Sequence, residues 1–181
     1  MKMILGVSEL HRLVKEQRLV EGLCERELQN PEGVGFDLRL GEIYELSGRG
    51  FLGVDERETP KTRLVAKYED GKKTSFILKP GSFHLVKTIE RVNTPENLVG
   101  LIFPRTTLYR SGLAFFCGQD APGYCGELIF GVANLGSCEV EIELGARICH
   151  ILFLEVKGSS NLYRGQWHSG RVSTREREQQ V

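Results

Sequence analysis

The chain has 181 residues, and its 24 basic and 24 acidic side chains leave it without net charge. A neutral protein has no bulk field that attracts nucleic acid or a membrane surface, so we expect neither as a partner. The length fits one domain with a single core, and no apolar run is long enough for a signal peptide or membrane span. Five cysteines without a CxxC pair argue against a disulfide framework or a zinc site, so we expect a cytoplasmic protein with reduced thiols.

The first part of the chain predicts one helix and one strand. Residues 8–17, "SELHRLVKEQ", place three apolar side chains on one helical face, with Ser8 as the N-terminal cap. Residues 36–46, "FDLRLGEIYEL", alternate in the manner of a strand. The polar, glycine-rich residues 47–74 predict a loop or a ragged hairpin.

From there on, strand patterns dominate. Strands are predicted at 76–88, where Pro80 and Gly81 separate two short segments, and at 98–104, 138–145 and 147–156. Many short strands with regularly spaced turns indicate a mainly β fold, an antiparallel sandwich or jelly roll. The charged final residues, "STREREQQV" (173–181), are expected to be mobile.

The stretch "PRTTLYRSG" (104–112) is a candidate phosphate site. Hydroxyl and backbone N–H groups at a turn bind phosphate well, and Arg105 and Arg110 can add charge-assisted contacts. The alternative is a capped turn whose arginines face solvent.

Three other polar features have two interpretations each. Asp37 either orients a partner or a metal-bound water, or bonds to the backbone of a turn. His150 interrupts an apolar strand and is more typical of a core or interface group than of a catalyst. Residues 163–174, "YRGQWHSGRVST", form either a lid over a phosphate site or an unstructured terminus.

The turn "GQDAPGYCGELIFG" (118–131) holds one acid, Asp120. An aspartate before Ala-Pro-Gly is ordinary turn chemistry when taken alone. Its neighbours along the chain give it a second interpretation, as a catalytic carboxylate.

Taken in order, these fragments resemble the dUTPase and dCTP deaminase superfamily, most closely the archaeal-type dUTPases, from about residue 33 to 172. The matching stretches are "GVGFDLRLGEIY", "FILKPG", "PRTTLYRSG", "PGYCG", "GARICHILF" and "YRGQW". The resemblance implies a dUTPase-like distorted jelly roll or β-barrel, here with a short N-terminal helix. It divides the chain into one domain over 1–162 and a mobile, Gly- and Arg-bearing C-terminal arm over 163–181.

The resemblance further implies a homotrimer with active sites at its subunit interfaces. The substrate would be a pyrimidine deoxynucleoside triphosphate, with Mg²⁺ bridging its phosphates. The implied phosphate ligands are Arg105, Thr106, Thr107, Arg110, His150, Gln166 and Arg171. Cys117, Gly118 and Gln119 would read the base, and Tyr124 would lie against the deoxyribose. Asp37 would support the metal through a bound water.

The departures from the family pattern bear on the reaction. The dUTPase base, in the pattern Asp-x-x-Tyr, falls at Ala121, and Asp120 lies one residue earlier. Such a shift reverses a side chain in a strand unless a bulge restores its direction. The glutamate that moves protons in the deaminases falls at Gly131, and His150 replaces the family's usual glutamine.

We therefore expect a dUTP diphosphatase in which water, deprotonated by Asp120, attacks the α-phosphorus and releases pyrophosphate. One alternative is a dCTP deaminase or a bifunctional deaminase and diphosphatase. Another is a catalytically degenerate member of the family that binds nucleotide or has a regulatory role.

Overall fold

The fold is mainly β, as predicted, in the computed structural model, which describes residues 4–180; strands make up 45% of it and helices 14%. The helices are α1 (Val7–Gln17), α2 (Glu25–Gln29), α3 (Thr106–Arg110) and the short 3₁₀ helix η1 (His168–Gly170). The strands are β1 (Val20–Glu21), β2 (Phe36–Ser47), β3 (Phe51–Leu52), β4 (Glu56–Glu58), β5 (Lys61–Lys67), β6 (Ser75–Leu78), β7 (Phe83–Asn93), β8 (Leu98–Pro104), β9 (Leu113–Phe116), β10 (Gln119–Asp120), β11 (Cys125–Asn134), β12 (Val140–Glu143), β13 (Arg147–Glu155) and β14 (Glu178–Gln179).

The predicted N-terminal helix is confirmed as α1, and its apolar face buries Leu10 and Leu13. The predicted cap at Ser8 is wrong. The helix begins one residue earlier than expected, so Gly6 is the N-cap and no side chain bonds to the free N–H groups there. Among residues 4–180, no helix is long and apolar enough to cross a membrane.

Strand β2 is shared by the two halves of a curled nine-stranded sheet, whose main order is β10-β8-β13-β2-β7-β11-β9. Its first residues, 36–39, pair with β13, whereas residues from Leu40 onward pair with β7 and β5. The turn from one half to the other passes through Gly41. A Cβ at Gly41 would lie 2.9 Å from the backbone oxygen of Thr88, so only glycine fits this crossing.

The predicted strands exist, but their partners could not be read from the pattern. The segment after Pro80-Gly81 is β7, which runs eleven residues rather than forming a short strand. It pairs with β2 and β11, while β6 pairs with β12. The region 47–74 contains the small β3–β4 hairpin and also β5, which extends the sheet along β2.

The core lies between the strands of the curled sheet. Phe36, Leu38 and Leu40 on β2 meet Ile151 and Phe153 on β13, and all five are fully buried. This packing fixes the direction of both strands, and with it the side chains at their ends.

The predicted arm is docked on the rest of the chain up to residue 180. Strand β14 pairs with β4, and Thr174 is buried where its hydroxyl accepts a hydrogen bond of 3.0 Å from the Thr59 N–H. The boundary at 162/163 and the mobility of the arm stay predictions.

Candidate active site

Asp120 points inward from β10. This strand pairs with β8, which places Asp120 opposite Gly100. A Cβ at Gly100 would lie 2.9 Å from the Cβ of Asp120, so the glycine makes room for the carboxyl group. Asp120 is 2% exposed, while its neighbour Gln119 faces solvent.

Asp120 lines a cavity of about 450 Å³, which we call the Asp120 cavity. The turn contributes Gly118, Gln119 and Tyr124 to its wall. Their contacts to a base and a sugar stay predictions. Core side chains and the arm close the other sides. They are Thr59, Leu85, Ile102, Leu128, Ile129, Phe130, Tyr163, Trp167, Arg171 and Val172.

Asp120 is held by one hydrogen bond and is otherwise desolvated. The hydroxyl of Thr94 donates to Oδ2, and Oδ1 is buried without a hydrogen-bond partner among the described residues. Burial raises the pKa of Asp120 to about 7, although the Thr94 hydrogen bond acts in the opposite direction. A carboxyl with this pKa can accept and release a proton near neutral pH.

Tyr124 forms an aromatic wall of the Asp120 cavity against the arm. Its ring is nearly parallel to that of His168, with centroids 5.7 Å apart, and Tyr163 meets it edge-on at 5.2 Å. The Tyr124 hydroxyl donates a 2.7 Å hydrogen bond to the backbone oxygen of Glu127. Burial raises the pKa of Tyr124 to about 12, so the hydroxyl stays neutral.

The arm is held at Trp167, whose indole ring contacts two guanidinium groups. Arg57 is 4.7 Å and Arg171 5.5 Å from the centroid of the indole ring. Glu178 accepts hydrogen bonds from both arginines, at 3.2 and 2.6 Å, and Arg57 also donates to Gln166. The predicted phosphate ligands Gln166 and Arg171 are therefore engaged by the protein itself.

A second polar group surrounds Asp37, which is 1% exposed. We call it the Asp37 cluster; its members are Asp37, Arg26, Arg105, Arg147 and His150. Oδ2 accepts from Arg105 and, at 2.8 Å, from Arg147, while Nδ1 of His150 lies 2.9 Å from Oδ1. Arg26 approaches Oδ2 to 3.5 Å.

Strand pairing builds the Asp37 cluster. His150 on β13 lies directly opposite Asp37 on β2. Arg105 follows the last residue of β8 and is the N-cap of α3. Residues from three separate elements therefore meet at one carboxylate.

The charged partners of Asp37 keep its carboxylate ionised. Burial would raise the pKa of Asp37, but the His150 hydrogen bond and the charge of Arg105 outweigh it, so the pKa lies below its usual value. The same hydrogen bond raises the pKa of His150. Arg105 and Arg147 together exceed the charge of Asp37, beside a shallow cavity of about 320 Å³ that Thr106 also lines.

Asp37 does not fit a metal-supporting role in this arrangement. Both of its carboxylate oxygens are occupied by cationic or hydrogen-bonding partners. Within residues 4–180, no group of three His, Cys, Asp or Glu side chains has the arrangement to hold a metal ion. The predicted water-mediated contact to Mg²⁺ stays a prediction that the geometry does not support.

The remaining predicted ligands lie outside both groups. Thr107 and Arg110 are exposed on α3. Cys117 does not line the Asp120 cavity, and its thiol lies 3.4 Å from the backbone oxygen of Ile102.

The Asp120 cavity and the Asp37 cluster are separated along β8. Gly100 pairs with Asp120, and Arg105 comes five residues later. A strand rises about 3.3 Å per residue, which separates the two positions by roughly 16 Å. Arg171 lines the Asp120 cavity of its own chain, whereas Arg105 and Thr106 lie at a distance from it.

Three residues of these groups escaped the sequence interpretation. Arg147 lies inside the quoted stretch "GARICHILF", where its charge was a usable signal. Arg26 precedes the region of resemblance, and Thr94 belongs to none of the quoted motifs. Only the fold brings these two next to an aspartate.

Comparison with known proteins gives the family from the sequence and the fold from solved structures. Residues 4–156 match the family described as dCTP deaminase-like. The dUMP-forming dCTP deaminase of Dictyoglomus turgidum is 29% identical over 159 residues, 85% of this chain and 81% of that protein. A probable deoxyuridine 5'-triphosphate nucleotidohydrolase of Aeropyrum pernix is 34% identical over 137 residues, 74% of this chain and 81% of that protein.

Among solved structures, the 2'-deoxycytidine 5'-triphosphate deaminase of Agrobacterium tumefaciens superposes with a TM-score of 0.65 at 14% identity. The match covers 85% of this chain and 49% of that one, so the chain spans about half of its length. At this identity the likeness concerns the fold, and the predicted dUTPase-like β architecture with its short N-terminal helix is confirmed.

Proposed function

This chain belongs to the dCTP deaminase-like family, and from that premise we propose that it hydrolyses dUTP to dUMP and pyrophosphate. The observation that carries the proposal is the buried carboxyl of Asp120, which faces a cavity beside Tyr124 and has a pKa of about 7. A general base works best when its pKa lies near the working pH.

In the proposed reaction, Oδ1 of Asp120 accepts a proton from water while the water oxygen attacks the α-phosphorus. The bond from the α-phosphorus to the bridging oxygen breaks, and pyrophosphate leaves. Tyr124 lies against the deoxyribose, and backbone groups of Gly118 and Gln119 contact the pyrimidine. Guanidinium and hydroxyl donors of Arg105 and Thr106 stabilise charge on the phosphates.

We propose that these donors come from another copy of the chain, in a homotrimer. The support is the separation of roughly 16 Å between Asp120 and Arg105 along β8. Four aromatic side chains that are 45–57% exposed also favour contact with other copies. They are Phe83, Phe103, Tyr109 and Phe116.

Deamination of dCTP is the second candidate, because the Dictyoglomus turgidum relative is named for that activity. Against it stands Gly131, where the family resemblance places the glutamate that moves protons. A third candidate is nucleotide binding without turnover. It is favoured by the protein partners of Gln166 and Arg171.

One assay separates the three. The purified protein is incubated with the magnesium complexes of dUTP, dCTP and dTTP, and pyrophosphate and ammonia are measured together. We expect pyrophosphate from dUTP, no ammonia from dCTP, and a loss of at least about 100-fold in Asp120→Asn. The exposed Asp55→Asn is the matched control.

Ammonia from dCTP would establish the deaminase instead. Nucleotide binding by calorimetry without either product would establish the non-catalytic family member. Full activity of Asp120→Asn would remove Asp120 from the mechanism.

A further inference from the structure

Thr94 makes three hydrogen bonds to the turn that carries Asp120 and Tyr124. Its N–H donates to the backbone oxygen of Tyr124, and its own backbone oxygen accepts from the N–H of Gly123, both at 2.9 Å. Its hydroxyl donates to Oδ2 of Asp120. Pro95 follows Thr94. A residue before proline favours extended backbone, which suits these hydrogen bonds between Thr94 and the turn.

The hydroxyl contact divides the two oxygens of Asp120 into different roles. Thr94 and Asp120 are each 2% exposed, so water does not compete for this hydrogen bond. Oδ2 is committed to the hydroxyl, whereas Oδ1 is buried and has no partner among the described residues. In a carboxyl held in this way, Oδ1 is the oxygen that is not committed to a hydrogen bond.

Among the described residues, Thr94 is the only hydrogen-bond donor to the carboxyl group of Asp120. Strands β8 and β13 present Gly100 and Ile151, which do not titrate. The turn contributes Tyr124, and the arm contributes Arg171 to the same cavity. Neither of these two side chains makes a hydrogen bond to the carboxyl of Asp120.

We propose that Thr94 is a positioning residue for Asp120: its hydroxyl engages Oδ2 so that Oδ1 is presented to the cavity as the proton acceptor. The proposal rests on the proposed hydrolase function, in which Asp120 is the base. It assigns to Thr94 a role in setting both the direction of the carboxyl and the pH at which that carboxyl ionises.

The test compares Thr94→Val, which keeps the shape but has no hydroxyl, with Thr94→Ser, which keeps the hydroxyl. The carboxyl carbon of Asp120 is titrated by NMR, and kcat/KM for dUTP hydrolysis is measured from pH 5 to 9. A hydroxyl that donates to a carboxylate favours the ionised form. We therefore expect Thr94→Val to raise the pKa of Asp120 by about one to two pH units.

The rate profile should move with the carboxyl. In Thr94→Val, the rise of kcat/KM with pH shifts to higher pH by the same amount. This shift lowers kcat/KM at pH 6 by about 10- to 100-fold. Thr94→Ser should restore both the pKa and the profile. A role limited to stability would lower the melting temperature of Thr94→Val and leave the pH profile in place.

Two results would overturn the proposal: an unchanged Asp120 pKa in folded Thr94→Val, or an unchanged rate profile. If Thr94→Val does not fold, the proposal is tested on the unsubstituted protein, by following the NMR resonances of Thr94 in a pH titration. They must titrate together with the Asp120 carboxyl, and their failure to do so also overturns it.

Failure of the proposed function has a different signature. If the unsubstituted protein releases no pyrophosphate from any nucleotide, the hydrolase function is wrong. The positioning role is then decided by the NMR titration of the two variants alone.

Discussion

The ring of Phe83 lies against Gly131: a Cβ at residue 131 would come 2.8 Å from Cζ of Phe83 and 3.3 Å from Cβ of Phe116. Residue 131 is where the family resemblance places the glutamate of the deaminases. The phenylalanine ring therefore occupies the space that the first atoms of such a side chain would need.

We predict that Gly131→Ala lowers the free energy of unfolding by at most about 1 kcal/mol, because the added methyl group forces the half-exposed ring of Phe83 to move. In a Phe83→Ala background most of that cost should disappear, since the ring is gone. Denaturant unfolding of the four proteins measures the coupling. A cost of equal size in both backgrounds would contradict the contact. Gly131→Glu alone should still release no ammonia from dCTP.

Ionisation of Asp120 should make the folded protein less stable above pH 7 than at pH 4. Its pKa rises from 3.8 to about 7 on folding, so the folded protein holds this proton more tightly than the unfolded chain. Stability from this group is complete below about pH 4 and is lost as the pH rises through 7. The span corresponds to an upper limit of roughly 4 kcal/mol.

Asp120→Asn, which cannot ionise, should therefore gain melting temperature over the unsubstituted protein at pH 8, and gain little at pH 4. Thermal unfolding at the two pH values measures the difference. The exposed Asp55→Asn should show no such dependence. A gain of the same size at both pH values would contradict the raised pKa of Asp120.

Because the proposed active sites are shared between copies of the chain, two inactive variants should complement each other. Arg105→Ala and Asp120→Asn should each be inactive alone, because each removes one half of every site. Co-expression of the two in one assembly should recover activity, since random mixing reunites both native halves in about one site in four. Asp120→Asn mixed with Tyr124→Ala is the control, because both lesions lie in the Asp120 cavity and should give no recovery. Equal behaviour of the two mixtures would place both halves in one copy.

The arm should be released when Glu178 loses its charge. Glu178 bridges Arg57 and Arg171, which both contact the Trp167 ring, and its hydrogen bond with Arg171 holds its pKa below the usual value. Glu178→Gln should shift the Trp167 emission to longer wavelength and speed proteolysis in the arm. The exposed Glu176→Gln is the matched control.

The same release should occur without substitution when acid protonates Glu178, at a pH below the ordinary range of a glutamate. Trp167 is the only tryptophan of the chain, so its fluorescence reports on the arm alone. An emission that is identical in Glu178→Gln would mean that the ion pairs do not hold the arm.

Strand positions were predictable from the sequence, whereas their partners were not. The alternation at 138–145 identified β12, because its glutamates face solvent and its apolar residues face inward. Nothing in that pattern indicates that β12 pairs with β6, some 60 residues earlier. Pairing depends on packing across the whole sheet, which a local pattern does not record.

In the candidate site as well, several residues were predictable from the sequence but their arrangement was not. Asp120, Tyr124 and Arg105 were found because they lie in recognisable stretches. The direction of Asp120 was not predictable, since a shift of one residue reverses a side chain and only the pairing with Gly100 decides it. Thr94 and Arg26 reach their aspartates through tertiary contacts, and neither has a local signal.

Strand β2 belongs to both halves of the curled sheet, with Gly41 at the passage between them. Neither half can therefore be cut away and retain all of its hydrogen bonds. The partners of β2 come from distant parts of the chain, so they must be gathered before either half is complete. Such a topology favours slow folding and a single, all-or-none unfolding transition. A substitution at Gly41 should consequently act on the whole molecule at once, however far its contacts lie from the Asp120 cavity.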